Sequence, residues 1–358
     1  MKIHKKLALL AIFALLIRGL LAMGAEAALD SLVQVAIQDE SIVAGAVFGQ
    51  SPLLSTVSQN VSFTEEEEVP QQQTEDPDTL PPYDLPPEFS PPVQRPFTPP
   101  PLPPGISLSG NQNPGIHGLR LHNHTTYTVD IESLFYNDLS FDPSHNGNPT
   151  VLILHTHGTE SFTPHGDDWY ENTDNYRSND TNLNIVRVGA EIAAVLEERG
   201  INVIHSRQIH DYPSFRGSYG RSLQAAEEYL ARYPHIDIIF DVHRDAIRDA
   251  SSGNYIRTLV DIAEEDIAQI MFVVGTDHAG LYHPTWRNNL AFVLQLQSEM
   301  LGFHPTFPRP ISLREERFNH HLSPGSVLVE IGSNANTLQE ALLAGRIFAE
   351  LAANVILG

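Results

Sequence analysis

Three short apolar runs, each typical of a buried β-strand, lead directly into residues that bind metals or transfer protons. The runs 151–154, 236–242 and 327–329 are followed by His155, His157 and Glu160, by His243, and by Glu330, respectively. Polar groups at the carboxyl ends of strands are typical of α/β sheets that carry their chemistry at that edge. Imidazole and carboxylate groups brought there from separate segments predict a hydrolytic zinc site, with three protein ligands, an open position for water and another carboxylate as base.

The rest of the carboxy-terminal part alternates strand patterns with amphipathic helix patterns. Besides the three runs, strands are predicted at 124–131, 201–205 and 270–274, and helices at 183–199, 220–233, 286–301 and 337–357. Strands that alternate with helices of a dozen or more residues indicate βαβ units. We therefore predict an α/β fold with a mainly parallel sheet flanked by helices.

The amino-terminal third has a different character. A basic start (Lys2, Lys5, Lys6) precedes the apolar stretch 7–23 and a small-residue segment, which is typical of a signal anchor or signal peptide and predicts that the rest is exported. Fourteen of the 26 prolines lie between Pro70 and Pro104, where no core can form and extended polyproline conformations are favoured.

These patterns divide the chain into four segments. We predict a signal anchor or signal peptide at 1–28, a membrane-proximal segment at 29–64, an acidic proline-rich linker at 65–114 and a catalytic domain at 115–358. A formal net charge of −23 argues against nucleic acid as a partner. The absence of cysteine excludes disulfides, a thiolate zinc cluster and a cysteine nucleophile.

The first candidate ligands are His157 and Glu160, which have H-x-x-E spacing on a loop that leaves a strand. Three positions allow both side chains to reach one metal ion. His155 competes with His157, because the two side chains point the same way if the strand conformation continues. Gly158 suggests a backbone turn, which favours His157 as the ligand and His155 as a supporting or packing residue.

His243 is the third candidate ligand, and Asp245 is expected to accept its other N–H. The alternative is a structural core histidine beside a surface Arg244–Asp245 salt bridge. Glu330 is predicted to be the general base, since a lone carboxylate at a buried strand end is rare unless it is paired or functional.

Other residues receive weaker assignments. His278 and the pair His320–His321 are kept as candidates for a substrate cleft, whereas the remaining histidines of this part are expected at the surface. There is no G-x-S-x-G motif, which disfavours a serine nucleophile.

The chain resembles the stage II sporulation protein P family of membrane-anchored cell-wall amidases. The segments that carry the resemblance are His155–Phe162, Asn184–Gly189, Asp241–Asp245 and Asn319–Gly325 running into Val329–Thr337, together with Asn123–Asp130. The resemblance implies a zinc amidase and carboxypeptidase-like fold for 115–358, and a Zn²⁺-dependent N-acetylmuramoyl-L-alanine amidase that also has endopeptidase activity on cross-links. It further implies peptidoglycan as substrate, a lytic transglycosylase and a membrane scaffold as partners, and a role in engulfment.

One departure concerns the acidic ligand. Related amidases place it at the start of the helix after the first strand, where this chain offers only Asp180; Glu160 is therefore taken as the second ligand. Two alternatives stay open: a zinc carboxypeptidase that holds the terminal carboxylate of a stem peptide with Arg244 or Arg287, and a non-catalytic wall-binding module.

Overall fold

A computed structural model describes residues 100–108, 114–139, 150–171 and 176–358. The predicted anchor, the membrane-proximal segment and most of the linker lie outside these residues, so the predictions for them remain predictions. In the described ranges, no helix combines the length and apolar character needed to cross a bilayer.

The main sheet has seven strands in the order β1-β8-β7-β9-β4-β2-β3. The strands of the described residues are β1 (Leu121–Asn123), β2 (Val151–Leu154), β3 (Val203–His205), β4 (Ile238–Asp245), β5 (Leu259–Ile262), β6 (Glu265–Ala268), β7 (Ile270–Gly275), β8 (Ile311–Arg314) and β9 (Gly325–Ser333). Within the main sheet only the β7–β9 pair is antiparallel. β5 and β6 form a separate hairpin. The prediction of a mainly parallel α/β sheet is confirmed.

Helices cover both faces of this sheet. Among the described residues they are α1 (Ile131–Phe135), α2 (Ile185–Glu198), α3 (Ser218–Arg232), α4 (Trp286–Phe303) and α5 (Leu338–Leu357), with a 3-10 turn at His320–Leu322. Helices α2, α4 and α5 pack in the large core with Phe240 and Val242, whereas Ala226 of α3 packs with Ile239 on the opposite face. Because side chains alternate along a strand, Asp241 and His243 point to the α3 face.

The four long predicted helices are observed within a few residues of their expected ends. Helix α2 begins after Asn184, whose side chain accepts a hydrogen bond from the Val186 N–H. Helix α5 begins after Thr337, whose Oγ1 accepts from the Glu340 N–H and donates to the Glu340 carboxylate. Such caps satisfy backbone donors that the first helical turn leaves without partners.

The strands differ more from expectation. The predicted strand at 124–131 is wrong: β1 ends at Asn123, whose side chain accepts from the Thr125 N–H and turns the backbone. β5, β6 and β8 were not predicted, because their four-residue runs contain charged or polar residues and lack the continuous apolar character of β2. β4 and β9 are longer than predicted, so His243 and Glu330 lie inside their strands, near the carboxyl ends.

The chain already packs on the domain before residue 115. Ile106 is 8% exposed and belongs to the main core, with Leu102 and Leu108 packed against it. Arg346 of α5 donates a hydrogen bond to the Pro100 carbonyl over 2.7 Å. The last part of the proline-rich segment therefore contributes to the folded unit.

Candidate metal centre

The backbone turns sharply after β2 and places His157 and Glu160 side by side. β2 ends at Leu154, and the Glu160 N–H donates to the His157 carbonyl over 3.1 Å. The Ile185 N–H at the start of α2 donates to the Glu160 carbonyl, which fixes the far end of the turn. As a result His157 Nδ1 lies 3.4 Å from Glu160 Oε1.

His243 completes a group of three buried ligand-type side chains. Its Nδ1 lies 3.3 Å from Glu160 Oε2, and one ligand atom from each of His157, Glu160 and His243 lies within 4.8 Å of the others. Zinc in a tetrahedral site takes such nitrogen and oxygen atoms at about 2.0–2.2 Å, which separates neighbouring ligand atoms by about 3.4 Å. The donor set and its spacing therefore fit Zn²⁺ with one position left over.

Both imidazoles face the group with Nδ1 and contact a polar residue with the other nitrogen. His157 Nε2 lies 3.1 Å from Ser218 Oγ of α3, and His243 Nε2 lies 2.9 Å from Asp241 Oδ1. The His243 N–H does not point straight at that oxygen, so this contact is closer to an ion pair than to an aligned hydrogen bond. Such outer contacts fix the tautomer and the orientation of metal-binding histidines.

The partner of His243 was predicted wrongly. Asp245 pairs instead with Arg309, at 2.7 Å from Nη1 to Oδ2. The reason is that β4 continues through Asp245, with an irregularity in its pairing to β9 between His243 and Asp245. Asp241 lies two residues before His243 on the same strand face and provides the carboxylate.

The three residues also form a charge cluster. Burial disfavours the charged form of His243, but Asp241 and Glu160 outweigh it and hold the pKa of His243 well above its usual value. Burial would raise the pKa of Glu160, but His243, His157 and Arg244 hold it well below its usual range. Glu160 also accepts a hydrogen bond from the Arg244 N–H over 3.0 Å. A cation would therefore replace a proton on His243.

Glu330 lies beside His243 in the neighbouring strand. The two residues are paired in the parallel register of β4 and β9, so their side chains point to the same face about 5 Å apart at the backbone. Glu330 is half-buried, and its Oε2 has no hydrogen-bond partner among the described residues. Burial and the nearby charge of Asp245 raise the pKa of Glu330 well above its usual value. A carboxylate of this kind suits proton transfer.

His155 lies apart from the three-residue group. Its Nδ1 is 2.8 Å from the Val242 carbonyl and its Nε2 is 3.0 Å from His205 Nε2. The ring presses on α2, where a Cβ at Gly189 would come within 2.5 Å of His155 Nε2. The strand ends before His155, so the expectation that His155 and His157 share a direction does not apply. The geometry agrees with a packing role for His155.

Other sequence candidates are found in structural contacts. Asp180 is exposed and accepts from the Asn182 N–H, away from the three-residue group. His278 Nε2 lies 2.8 Å from Thr126 Oγ1 and its Nδ1 lies 3.2 Å from Glu315, which joins two surface loops. His320 is buried and its Nδ1 accepts from the Gly275 N–H.

Arg244 is not the surface residue that the alternative interpretation of its segment requires. It is 2% exposed, and its guanidinium donates to the carbonyls of Ser161, Asp245 and Tyr176. The side chain therefore holds the loop after β2 in place and is unavailable to a substrate.

Aromatic residues that the sequence did not single out surround His157. The Phe215 ring lies 4.4 Å from the His157 ring, and Tyr219 lies 5.5 Å away in an edge-on arrangement. Arg177 covers the Phe215 ring at 4.9 Å and pairs with Asp211 at 2.7 Å. Nothing in the local sequence marks these residues, since only the fold brings the loop before α3 to the turn after β2.

The chain matches a known protein family over most of its length. The model of the stage II sporulation protein P family matches residues 53–353. A stage II sporulation protein P from Bacillus subtilis (strain 168) is 25% identical over 218 residues, which are 56% of this chain and 50% of the relative. The chain thus spans about half the length of the curated relative that it matches.

Several solved amidase structures are also similar to the chain. An N-acetylmuramoyl-L-alanine amidase from Clostridium difficile 630 is 18% identical, with 59% of this chain and 96% of that chain covered and a TM-score of 0.36. The CwlD amidase from Clostridioides difficile, solved in complex with the GerS lipoprotein, is 16% identical, with 58% and 94% covered and a TM-score of 0.35. AmiC2 of Nostoc punctiforme is 14% identical, with 58% and 95% covered and a TM-score of 0.32.

Proposed function

We propose that this chain, which belongs to the stage II sporulation protein P family, is a zinc-dependent peptidoglycan hydrolase that acts during sporulation. Its reaction would be hydrolysis of the amide bond between N-acetylmuramic acid and L-alanine of the stem peptide. Cleavage of peptide cross-links would be a second activity at the same site. The family membership supports the biological setting, and the residues of the site support the hydrolytic chemistry.

The observation that carries the proposal is the grouping of His157, Glu160 and His243, with Glu330 next to His243. Buried charged and polar groups cost stability unless they are paired or bind a ligand. Three protein ligands that bind through nitrogen or oxygen, with the fourth coordination position left for water, are typical of catalytic rather than structural zinc sites.

Each residue has a distinct role in the proposed reaction. His157, Glu160 and His243 would hold the zinc ion, which supplies Lewis acidity to polarise the carbonyl and to activate water. Glu330 would accept a proton from the attacking water and deliver it to the nitrogen of the leaving amine as the C–N bond breaks. The products would be a lactyl carboxylate on the glycan and a stem peptide with a free L-alanine amino group.

The location and partners of the protein follow from the same proposal. Residues 1–28 would act as a signal anchor or signal peptide and place the catalytic domain outside the cytoplasmic membrane, where peptidoglycan is available. A lytic transglycosylase that cuts the glycan, held with this protein by a membrane scaffold, would complement the amidase. Nucleic acid is not a proposed partner, since the net charge of −23 opposes it.

The carboxypeptidase alternative loses one of its two candidate anchors. Arg244 is enclosed by backbone carbonyls. Arg287 is the remaining candidate, and its guanidinium covers the Trp286 ring at 4.1 Å. No contact links Arg287 to the three-residue group in the described part of the chain, so the amidase is the better-supported reaction.

Digestion of purified sacculi by the full chain tests the proposal, with chelator-treated protein and the Glu330→Gln variant as controls. Mass analysis of the fragments should find free stem peptides that begin with L-alanine and glycans with free lactyl groups. Release of single amino acids would identify a carboxypeptidase instead. Binding to sacculi without any cleavage would identify a wall-binding module.

A further inference from the structure

A small cavity lies beside Asp241, the residue that contacts His243 of the candidate metal centre. It is bounded by β2, β4, β9, α3 and the segment around the 3-10 turn. Its polar lining includes Asp241, Ser326 and His320, and its free space is about that of one water molecule. The cavity thus joins the carboxylate that contacts His243 to polar groups with no role in the proposed reaction.

The tautomer of His320 follows from its backbone contact. The Gly275 N–H donates to His320 Nδ1 over 2.9 Å, so Nδ1 carries a lone pair. Burial lowers the pKa of His320 to about 3, which keeps the ring neutral at neutral pH. The proton of the ring must therefore be on Nε2. This buried N–H has no partner among the described residues.

The other polar groups of the cavity have capacity for one more hydrogen bond. Ser326 Oγ is buried without a partner in the described ranges. Asp241 accepts from the Thr156 N–H and hydroxyl and contacts His243, which leaves an acceptor position on a carboxylate that can take about four donors. The rest of the lining is mainly apolar, so these polar groups are the ones that would bind an ordered water, which needs two to four polar partners.

We propose that one water molecule is bound in this cavity, where it accepts a hydrogen bond from His320 Nε2–H and donates one to Asp241. His320 is thereby a positioning residue: through the water it fixes Asp241, and through Asp241 it fixes His243. The inference rests on the proposed zinc site. It extends the hydrogen-bonded contacts that support the site from Asp241 on β4 to His320 in the turn before β9.

Two substitutions separate this role from simple packing. His320→Asn keeps an acceptor where Nδ1 meets the Gly275 N–H but removes the Nε2–H donor. His320→Gln keeps a donor near the position of Nε2 but loses the acceptor for Gly275. We expect His320→Asn to weaken zinc binding by roughly threefold to tenfold, less than the 10–100-fold typical of direct partners of metal ligands, and His320→Gln to stay within about twofold of the wild type.

The full chain is titrated with zinc against a competing chelator, and the visible spectrum of the Co²⁺-substituted protein is recorded for each variant. A changed spectrum in His320→Asn, restored in His320→Gln, is the expected signature. A high-resolution crystal structure of the wild type should also contain water density in the cavity, whether or not the variants fold.

The proposal is overturned if the cavity holds no water, if both variants bind zinc like the wild type, or if His320→Gln loses as much affinity as His320→Asn. In the last case the imidazole ring as a whole, and not its Nε2 donor, is what matters. These failures leave the zinc site intact, whereas a wild-type chain that binds no zinc overturns the proposed function together with this inference.

Discussion

Asp241→Asn is the substitution whose effect on the metal centre follows most directly from the contacts. The carboxylate of Asp241 lies 2.9 Å from His243 Nε2 and accepts from the Thr156 N–H at 2.8 Å and the Thr156 hydroxyl at 2.7 Å. The Asn side chain has a similar volume but only one acceptor oxygen, and its NH₂ group would face one of these donors. His243 thus loses the partner that orients it.

The expected loss in zinc affinity can be estimated in two steps. Removal of a group that orients a metal-binding histidine typically costs 10–100-fold in affinity, which corresponds to about 1.4–2.7 kcal/mol. The imperfect alignment of the His243 N–H with Asp241 favours the lower half of that range. At neutral pH part of this loss in affinity is offset. Without Asp241 the pKa of His243 is lower, so His243 loses its proton more readily when a cation binds.

The assay is competition between the protein and a chromogenic chelator for zinc from pH 6 to pH 9. Proton competition disappears above the pKa of His243, so the plateau affinities compare orientation alone. Asp261→Asn, at an exposed position of the β5–β6 hairpin, is the matched control and should leave the affinity unchanged. A plateau affinity within twofold of wild type, in a variant with normal circular dichroism, would refute the role assigned to Asp241.

Three further outcomes are expected. Zinc affinity of the wild type should rise by about tenfold per pH unit below the raised pKa of His243, because one proton leaves as the metal binds; a pH-independent affinity in chelator titrations would contradict the charge cluster. Ile106→Ala should destabilise the domain by about 2 kcal/mol in urea unfolding of the full chain, whereas an unchanged midpoint would show that residues 100–108 are dispensable. The metal-free protein should lose stability as the pH falls from about 6.5 to about 4. Burial lowers the pKa of His210 and of His283 to about 4, so only the unfolded chain takes up these protons in that window, at a cost of about 3 kcal/mol per histidine at most. Urea midpoints of the Glu330→Gln variant at pH 7 and pH 4.5 check this, because proton uptake by Glu330, whose pKa is raised, would offset the effect in the wild type. Equal midpoints would show that these rings are not buried neutral groups.

Much of the fold was predictable because the spacing of apolar residues that marks a helix or a strand can be recognised within a short stretch of sequence. The helix α2 was expected from its apolar spacing over 183–199 and is observed at Ile185–Glu198. The grouping of His157, Glu160 and His243 followed from two rules: parallel strands carry their polar ends to the same edge, and H-x-x-E spacing lets both side chains reach one metal ion. These inferences use only local pattern and the topology that it implies.

One missed feature was present in the local pattern, whereas the others depend on where strands end and on how distant segments pack. Asp241 was overlooked as the partner of His243, although the D-x-H spacing on a strand places both side chains on one face. His155 was hard to separate from His157, because the direction of each depends on the residue at which β2 ends. Phe215 approaches His157 only because α3 packs beside the turn after β2.

Glu330→Gln provides the most direct test of the proposed hydrolytic site. The zinc content and the rate of sacculus hydrolysis are measured on the same preparation of wild type and variant. The amide has nearly the volume of the carboxyl group but cannot accept a proton, and the three proposed ligands are untouched. We predict about one zinc per chain in both proteins, with hydrolysis in the variant lower by roughly 10²–10⁴-fold. Loss of zinc from the variant would make Glu330 a metal ligand, and an undiminished rate would contradict its role as the base.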